Sequence, residues 1–397
     1  MHAVKLLHKQ IQFACPNIHT KRLEVLMCAT QVLSEDQHLS VTGIGRAVRN
    51  HTSAKHNIKR IDRLVGNTWL QSKRIDIYAS LAHWLLKNNT QPIILIDWSD
   101  LTDDREQQLL RASIPAGCRS LTLHEEAHPL KKYANPCVHR RFIQQLKAVL
   151  PEGITPIIVT DAGFRGTWFK LIHSFGWHWV GRIRNREFVQ FANTNRWIPC
   201  KSLYKKATRH SKRLGNALLS RAQPNPTVLH LLKNPKKGRV EKSKFGRRRH
   251  NARSNKIARR EREPWLIAAS PSLKHLTARQ VMSIYRKRMQ IEEAFRDIKC
   301  ERYGLGLSSS LTTIAKRLEI LLLLGTLALL VLWMTGIAAI KQKHHYRYQS
   351  NTTRNRSVLS SIFMGMQIMR HDPCKFDRQQ LRSAFDSLTA ETTYAAR

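Results

Sequence analysis

Four residues at fixed intervals could together hold a phosphate group and a metal ion. They stand at offsets 0, 3, 7 and 14 and are Tyr285, Arg288, Glu292 and Lys299. In one helix that turns about 100° per residue, their side chains would fall within roughly 60° of one another. An adjoining stripe is apolar and could face a core: Ile284, Ile291, Phe295 and Ile298. A solvated charged helix face shows the same pattern, so the quartet needs independent support.

Two aspartates give that support, because each follows an apolar run that predicts a strand. The run 93–96 ends directly in Asp97, and the run 156–159 leads through Thr160 to Asp161. Uninterrupted apolar runs of this length are typical of strands buried on both faces. Active sites of α/β sheets gather at strand ends, where side chains leave the core and the backbone stays rigid. We therefore expect both aspartates at sheet ends.

Asp97, Asp161 and Glu292 are the kind of ligands that a pair of Mg²⁺ ions needs. Few protein oxygens suffice, because substrate phosphates and water complete each octahedron. Two such ions roughly 3.5 to 4 Å apart favour in-line displacement at phosphorus, which indicates phosphodiester cleavage. Glu293 would point about 80° away from Tyr285 and outside the polar stripe, which favours Glu292 as the ligand.

The other members of the quartet suit the same substrate. Arg288 could bind a phosphate through two hydrogen bonds, and Lys299 would add a point charge. The Tyr285 hydroxyl could donate a further hydrogen bond. These three side chains are expected to position a strand while metal ions do the chemistry.

The composition points to a polyanionic partner. The 397 residues include 68 Lys and Arg against 27 Asp and Glu, a formal charge of +41. Nucleic acid is the expected partner, since this charge is spread over the chain and not collected in one amphipathic helix. Seven separated cysteines without a Cys-x-x-Cys pair indicate reduced thiols, not a disulfide framework or zinc finger. With no secretion signal at the N-terminus, the expected location is the cytoplasm.

Residues 1–88 are predicted to form short helices without strands. The segment 54–65 resembles the second helix of a helix-turn-helix. Its basic residues lie largely off the apolar face and would contact DNA: Lys55, Lys59, Arg60 and Arg63. An ordinary basic surface helix fits the pattern equally well.

The remaining pattern predicts an α/β class with a mixed sheet flanked by helices. Further strands are expected over 119–127, 177–183 and 266–269, with a helix over 164–174. Residues 185–263 interrupt this pattern as a basic insertion with short strands. Its segment 233–262 holds 14 Lys or Arg against two Glu and is expected to track a phosphate backbone. Residues 346–397 are predicted as a helical C-terminal region, with apolar residues at helical spacing from Val358 and Leu359 to Met369.

Residues 320–340 form an apolar run of 21 residues without a charge. That length could cross a bilayer. We favour a buried core helix, because this is the only such run and both of its flanks are basic, which leaves no orientation specified.

Several motifs together resemble the DDE transposases of bacterial insertion sequences. Within these transposases the chain resembles the insertion-sequence-four family and, in that family, the insertion-sequence-ten transposases. The shared motifs cover nearly all the chain: residues 55–64, Asp97-Trp98-Ser99-Asp100, Asp161-Ala162-Gly163-Phe164, the Y-x2-R-x3-E-x6-K quartet, Arg354-Asn355-Arg356 and Val358-Leu359-Ser360.

This resemblance implies an RNase H-like core, over 89–184 and 264–345, split by the insertion 185–263. It implies a metal-binding triad of Asp97, Asp161 and Glu292 that uses Mg²⁺, for which Mn²⁺ substitutes. The implied partners are double-stranded DNA, as transposon inverted-repeat ends and target, and a second copy in a synaptic homodimer, with no membrane. It also implies cut-and-paste transposition through a hairpin, in which Trp265 stacks on a flipped base. A core aromatic is the alternative for Trp265.

Two other functions remain open at this point. A stand-alone RNase H-like nuclease would cut DNA without rejoining it. A non-catalytic basic DNA-binding protein would bind with a steep salt dependence and form no metal-dependent product. An integral membrane protein is the least favoured reading of the apolar run.

Overall fold

The computed structural model describes residues 2–87, 89–184, 187–235, 247–249, 251–252, 254–255, 263–371 and 376–393. These ranges hold twelve α-helices and ten β-strands. The chain divides into two compact units, the first comprising Met1–Ile154 and Met289–Ala395 and the second Thr155–Arg288. The borders of these two units differ from the domain borders expected from the sequence, and the expected functional domains stay predictions. Most of the basic stretch 233–262 lies outside the described residues.

The first unit begins with five helices, as expected for this part of the chain. They are α1 (His2–Ala14), α2 (Thr20–Asp36), α3 (Val41–Ala47), α4 (Ala54–Val65) and α5 (Thr68–Leu85). Ser40 caps α3 by accepting a hydrogen bond from the Gly43 N–H at 3.0 Å. Helices α3 and α4 pack closely at Gly45, where a Cβ would lie 2.6 Å from the Ile58 Cα. A two-helix element precedes the strands, as the sequence predicts.

Three antiparallel strands follow in the first unit, in the order β3-β2-β1. They are β1 (Ile93–Asp100), β2 (Gln107–Ala116) and β3 (Arg119–Pro129). The sequence analysis predicted β1 and β3 but missed β2, whose interior carries the buried polar residues Gln108, Arg111 and Ser113. Helix α6 (Pro136–Val149) comes next and is capped by the Asn135 side chain, which accepts from the Cys137 N–H at 2.8 Å.

The first unit is completed by four further helices. They are α9 (Met289–Lys299), α10 (Ala315–Lys341), α11 (Ser361–His371) and α12 (Arg378–Thr392). Among the described residues, α10 alone is long and apolar enough to cross a membrane, yet 94% of its most apolar window is buried in the protein. That burial confirms the expected core helix. Helices α10 and α11 touch through backbone, since a Cβ on Gly365 would lie 1.9 Å from the Leu332 carbonyl oxygen.

The predicted C-terminal helical pattern was wrong at its start. Helix α11 begins at Ser361, so Val358 and Leu359 precede it, and Val358 is exposed. The apolar residues that follow do face the core, and they include Ile362 and Met366. The helical spacing of apolar residues begins before the helix itself, because spacing alone does not identify the first helical turn.

The second unit contains seven strands in the order β4-β5-β10-β9-β8-β6-β7. They are β4 (Ile157–Thr160), β5 (His178–Ile183), β6 (Phe188–Phe191), β7 (Ile198–Pro199), β8 (Lys212–Leu219), β9 (Asn225–Leu232) and β10 (Trp265–Ala269). Strands β4 and β5 are parallel, and β10 pairs antiparallel with β5 and with β9. Helix α7 (Gly166–Ser174) follows β4, and α8 (Ala278–Arg286) follows β10.

The expectation that the insertion carries only short strands was wrong for β8 and β9. Each is eight residues long, and β9 pairs along the whole of β10. The described residues as a whole form a mixed α/β fold with parallel and antiparallel strands flanked by helices. This confirms the predicted fold class.

Candidate active site

Asp97 lies on β1 where the strand passes from the core to solvent. The four residues before it are buried, residues 97–99 are half-buried, and Asp100 is exposed. Its Oδ1 accepts a hydrogen bond from the Trp98 N–H at 2.9 Å. The prediction that β1 ends at Asp97 was wrong, because Trp98, Ser99 and Asp100 continue to pair with β2. Pairing with β2 both before and after Asp97 in the chain therefore holds its backbone.

Lys299, the last residue of α9, reaches the polar end of β1. Its ammonium donates to Ser99 Oγ at 2.6 Å and to the Asp100 carbonyl oxygen. Because side chains alternate along a strand, Asp97 and Ser99 project from the same face of β1. Burial, together with the positive charge of Arg111, lowers the pKa of Lys299 to about 8, and Asp100 offsets part of this shift. Lys299 thus stands on the Asp97 side of β1 with a readily lost proton.

Glu292 and Glu293 have different surroundings on α9. Glu293 pairs with Arg119 at 3.7 Å and with Arg296, and Arg119 also binds Asp297 at 2.6 Å. This network ties α9 to the start of β3. Glu292 lies in the first turn of α9 and is exposed. The carboxylate chosen from the sequence is thus the more exposed of the two, and its neighbour has a structural role.

The helix predicted to run unbroken from Tyr285 to Lys299 is two helices. Helix α8 ends at Arg286, Lys287 and Arg288 form a turn, and α9 begins at Met289. In the turn, the N–H groups of Lys287 and Arg288 bond to carbonyls three residues back, at 3.2 and 3.1 Å. Such bonds tighten a helix end, so the expectation of one unbroken helix was wrong. The apolar stripe is buried as predicted, at Ile284, Ile291, Phe295 and Ile298.

Asp161 follows β4 directly, as predicted. Its Oδ1 accepts a hydrogen bond from the Gly163 N–H at 2.8 Å, which turns the chain toward α7. A Cβ on Gly163 would lie only 2.9 Å from that oxygen, so glycine lets the turn close. The half-buried Asp161 carboxylate is therefore anchored by the turn and remains open to solvent.

Tyr285 is the centre of a polar and aromatic group in the second unit. Its buried ring meets Trp265 edge to face, with ring centroids 5.0 Å apart. Burial raises the pKa of Tyr285, while Arg288 and Arg182 lower it and Asp161 raises it further. The same hydroxyl therefore senses two guanidinium groups and one carboxylate. Tyr285, Arg288, Trp265 and Asp161 thus lie near one another in the second unit, and their roles toward DNA and metal stay a prediction.

Arg182 on β5 was not singled out from the sequence. Its Nη2 makes only long hydrogen bonds of 3.5 Å to the carbonyls of Glu263 and Pro264. Its Nε is buried without a hydrogen-bond partner in the described part of the chain. The Glu263 carboxylate is occupied by Arg184, at 2.6 and 2.8 Å. Arg182 therefore keeps unused donors beside Tyr285, and the signal in the sequence was a lone arginine within an apolar strand.

Residues 120–330 match the family described as Transposase DDE domain. The matched range is more than half of the 397 residues and contains Asp161, Glu292 and the Tyr285 group. The chain belongs to this transposase family. Asp97 lies upstream of the matched range. No curated protein matches this transposase.

DDE transposases use divalent metal ions. Among the residues that the structure describes, no cluster of three or more His, Cys, Asp and Glu could hold a metal ion. Asp97 and Glu292 belong to the first unit and Asp161 to the second. The donor chemistry of the three nevertheless fits a hard cation, because all are carboxylates open to solvent, and two have fixed backbones. Their joint action as ligands stays a prediction.

The candidate DNA-binding helix α4 presents its basic residues to solvent. The exposed residues are Lys55, Lys59, Arg60 and Arg63. On the opposite side Ile61 and Leu64 are buried, and Ile58 is half-buried. Asp62 pairs with Arg317 of α10 at 2.5 Å, which helps to attach the helix to the core. The transposase therefore has a free basic helix face here, and its role in DNA binding stays a prediction.

Proposed function

We propose that this DDE transposase binds the inverted-repeat ends of an insertion sequence and moves it by cut-and-paste, with Mg²⁺ or Mn²⁺ as cofactor. The observation that carries the proposal is the family match, within which Asp161 follows β4 and Glu292 lies exposed on α9. Asp97, Asp161 and Glu292 are the proposed metal ligands. The resemblance to the insertion-sequence-ten transposases supports the hairpin route.

Each proposed step forms one bond from an oxygen nucleophile to phosphorus and breaks one bond from phosphorus to a 3′ oxygen. Water first cuts the transposon end and leaves a 3′-hydroxyl. That hydroxyl attacks the opposite strand, which forms a hairpin and releases the flanking DNA. Water then opens the hairpin, and the restored 3′-hydroxyl attacks the target. Bound divalent ions would activate the attacking oxygen and stabilise the leaving one.

The side chains around Tyr285 would position the DNA strand. Arg288 and the incompletely bonded Arg182 would supply guanidinium donors suited to a phosphate, and the Tyr285 hydroxyl would add a further donor. Lys299 would contribute charge on the Asp97 side of β1. Trp265, half-buried and edge-on to Tyr285, could stack on a base flipped out to permit the hairpin. The exposed face of α4 would bind the ends, and a homodimer would hold two ends together.

The test begins with the DNA that flanks the reading frame, where the proposal expects matched inverted repeats. Asp97→Asn, Asp161→Asn and Glu292→Gln should abolish Mg²⁺-dependent cleavage of a duplex that carries such an end, while end binding without metal persists. A matched control is Asp103→Asn, an exposed acid just beyond β1, which should cleave normally. Normal cleavage by the three triad variants would reject the proposal.

A second assay separates the transposase from its two alternatives. Pre-cut ends with a free 3′-hydroxyl should be joined to an unrelated plasmid by the wild-type protein. Cleavage without joining would indicate a stand-alone nuclease. Binding without any metal-dependent product would indicate a DNA-binding protein whose acids only shape the fold.

A further inference from the structure

We propose that a groove between α1, α5 and α12 is a second DNA site, which binds the phosphate backbone of duplex DNA through residues other than the proposed metal ligands. The groove lies wholly in the first unit and has a volume of about 410 Å³. The inference rests on the proposed function only in taking DNA as the substrate.

The base of the groove is aromatic. Trp84 of α5 stacks on Phe385 of α12 with ring centroids 3.7 Å apart and planes within 17°. Phe385 is buried and Trp84 half-buried, so one indole surface remains at the groove. Leu6 and Leu381 line the same surface. This apolar base excludes water from part of the groove and strengthens charge interactions at its rim.

Two pairs of cations form the rim. Lys5 and Lys9 lie on α1, and Arg378 and Arg382 lie on α12. All four are exposed, and none makes a hydrogen bond or ion pair with the described residues. Within each pair the residues are four apart, where like charges repel one another and oppose helix formation. Asp386 is the single acidic residue among the lining residues that the structure describes.

The positions of these cations along their helices add to the positive potential. Lys5 lies in the first turn of α1, and Arg378 is the first residue of α12. Cations near a helix N-terminus interact unfavourably with the helix dipole. Asp377 caps α12 by accepting from the Gln380 N–H at 2.7 Å, and its charge offsets only part of this effect. The groove therefore concentrates charge that the fold itself does not use.

Other arginines of the first unit contrast with this arrangement. Arg74, Arg111 and Arg119 each pair with an acid of the protein at 2.9 Å or less. A partner for the groove cations must come from outside, and a polyanion fits best. Four helix residues rise about 6 Å, close to the rise of two phosphates along one DNA strand. Two rows of cations at this spacing match a repeating backbone better than a single small anion.

The main test is the salt dependence of binding to a 30-base-pair duplex of random sequence, measured in EDTA so that catalysis plays no part. The groove variant combines Lys5→Gln, Lys9→Gln, Arg378→Gln and Arg382→Gln. Its slope of log K against log salt should fall by about 1 for each phosphate that the variant no longer neutralises, and so by about 2 to 4. The control removes four equally exposed cations of the same unit, by Lys87→Gln, Lys132→Gln, Arg140→Gln and Lys343→Gln. Equal slopes for the two variants would overturn the inference.

A second measurement locates the DNA directly. A photo-crosslinking amino acid at Gln10, which lines the groove, should form a DNA adduct. The same group at Gln12, which is exposed on α1 but turned by about 200°, should not. Crosslinking from both positions or from neither would contradict the proposed site. Saturable binding of polyglutamate that only the groove variant loses, with DNA slopes unchanged, would assign the groove to an acidic protein instead. None of these readouts requires cleavage, so failure of the proposed function is recognised separately.

Discussion

Two groups of charged residues in the first unit show how differently the fold treats its acids. Glu125 of β3 is fully buried, pairs with Arg111 at 2.6 Å, and accepts a hydrogen bond from Tyr78 Oη at 2.8 Å. Asp97, on the neighbouring part of the same sheet, is half-buried and lies beside the polar end of β1. The first acid is enclosed with its partners, and the second is left within reach of a ligand.

The buried group extends well beyond one ion pair. Arg74 binds Glu319 at 2.9 Å and donates to the Glu125 carbonyl at 2.8 Å, and Thr326 donates to the Glu125 carboxylate at 2.9 Å. These contacts join α5, β3 and α10. A carboxylate enclosed by its partners in this way has a structural role, whereas a half-buried acid at a strand or turn stays open to solvent and to a ligand. Partner and exposure together distinguish the two roles better than residue type does.

Glu125→Gln should have the largest effect on stability, because it removes a charge from the buried group. Removing one charge of a buried pair leaves Arg111 uncompensated, and such losses typically cost about 3 to 5 kcal/mol. We expect a large drop in the free energy of unfolding, measured by urea denaturation. Asp97→Asn is the matched control and should leave stability almost unchanged while abolishing cleavage. Equal stability of the two variants would mean that the buried network does not hold the fold together.

The sequence predicted the strands that carry the aspartates because their apolar runs are local signals. It missed β2 because Gln108 and Arg111 interrupt the apolar pattern there. Arg111 is compatible with a buried strand only because Glu125 lies opposite it in the sheet register. That partner is 14 residues away in the chain, so no local pattern could reveal it.

The sequence predicted only part of the candidate site, because the rest depends on residues that are distant in the chain. Asp161 was placed correctly, and Glu292 was preferred to Glu293 on helix angle alone. The break at Lys287 and Arg288 had no signal in the sequence, since neither glycine nor proline stands there. The turn arises from hydrogen bonds that span three residues instead of four. Arg182 was missed because its significance comes from Tyr285 and Glu263, which lie some 80 to 100 residues further along the chain.

Lys299 provides a test of the partly exposed group around Asp97, because a moderate rise in pH removes its positive charge. Its folded pKa of about 8 lies below the ordinary value of 10.5. Between these pH values the unfolded chain binds more protons, so this residue should raise stability as the pH rises from about 8 to 10.5. Below pH 8 the cost of burying its charge is fully present.

The effect on DNA binding should have the opposite direction. As the pH rises through 8, Lys299 loses the charge that would attract a phosphate, and affinity should weaken by about threefold to tenfold by pH 9. Lys299→Arg keeps its charge throughout this range and should remove most of that pH dependence. Fluorescence anisotropy with an end duplex at pH 7, 8 and 9 measures the difference. Identical pH profiles for the two proteins would show that the Lys299 ammonium does not contact the DNA.

The smallest expected effect on stability is that of Glu293→Gln. It is compared with Glu292→Gln at the adjacent position of α9. Glu293 is partly exposed, and its ion pairs with Arg119 and Arg296 are of the kind that contributes about 0 to 1 kcal/mol. Glu293→Gln should therefore lower the free energy of unfolding by less than about 1 kcal/mol and leave cleavage intact. Glu292→Gln should do the reverse, with unchanged stability and no cleavage. If Glu293→Gln were the variant that loses cleavage, the tight turn at Lys287 and Arg288 would have shifted the functional face of α9 by one residue, and the ligand assignment would move with it.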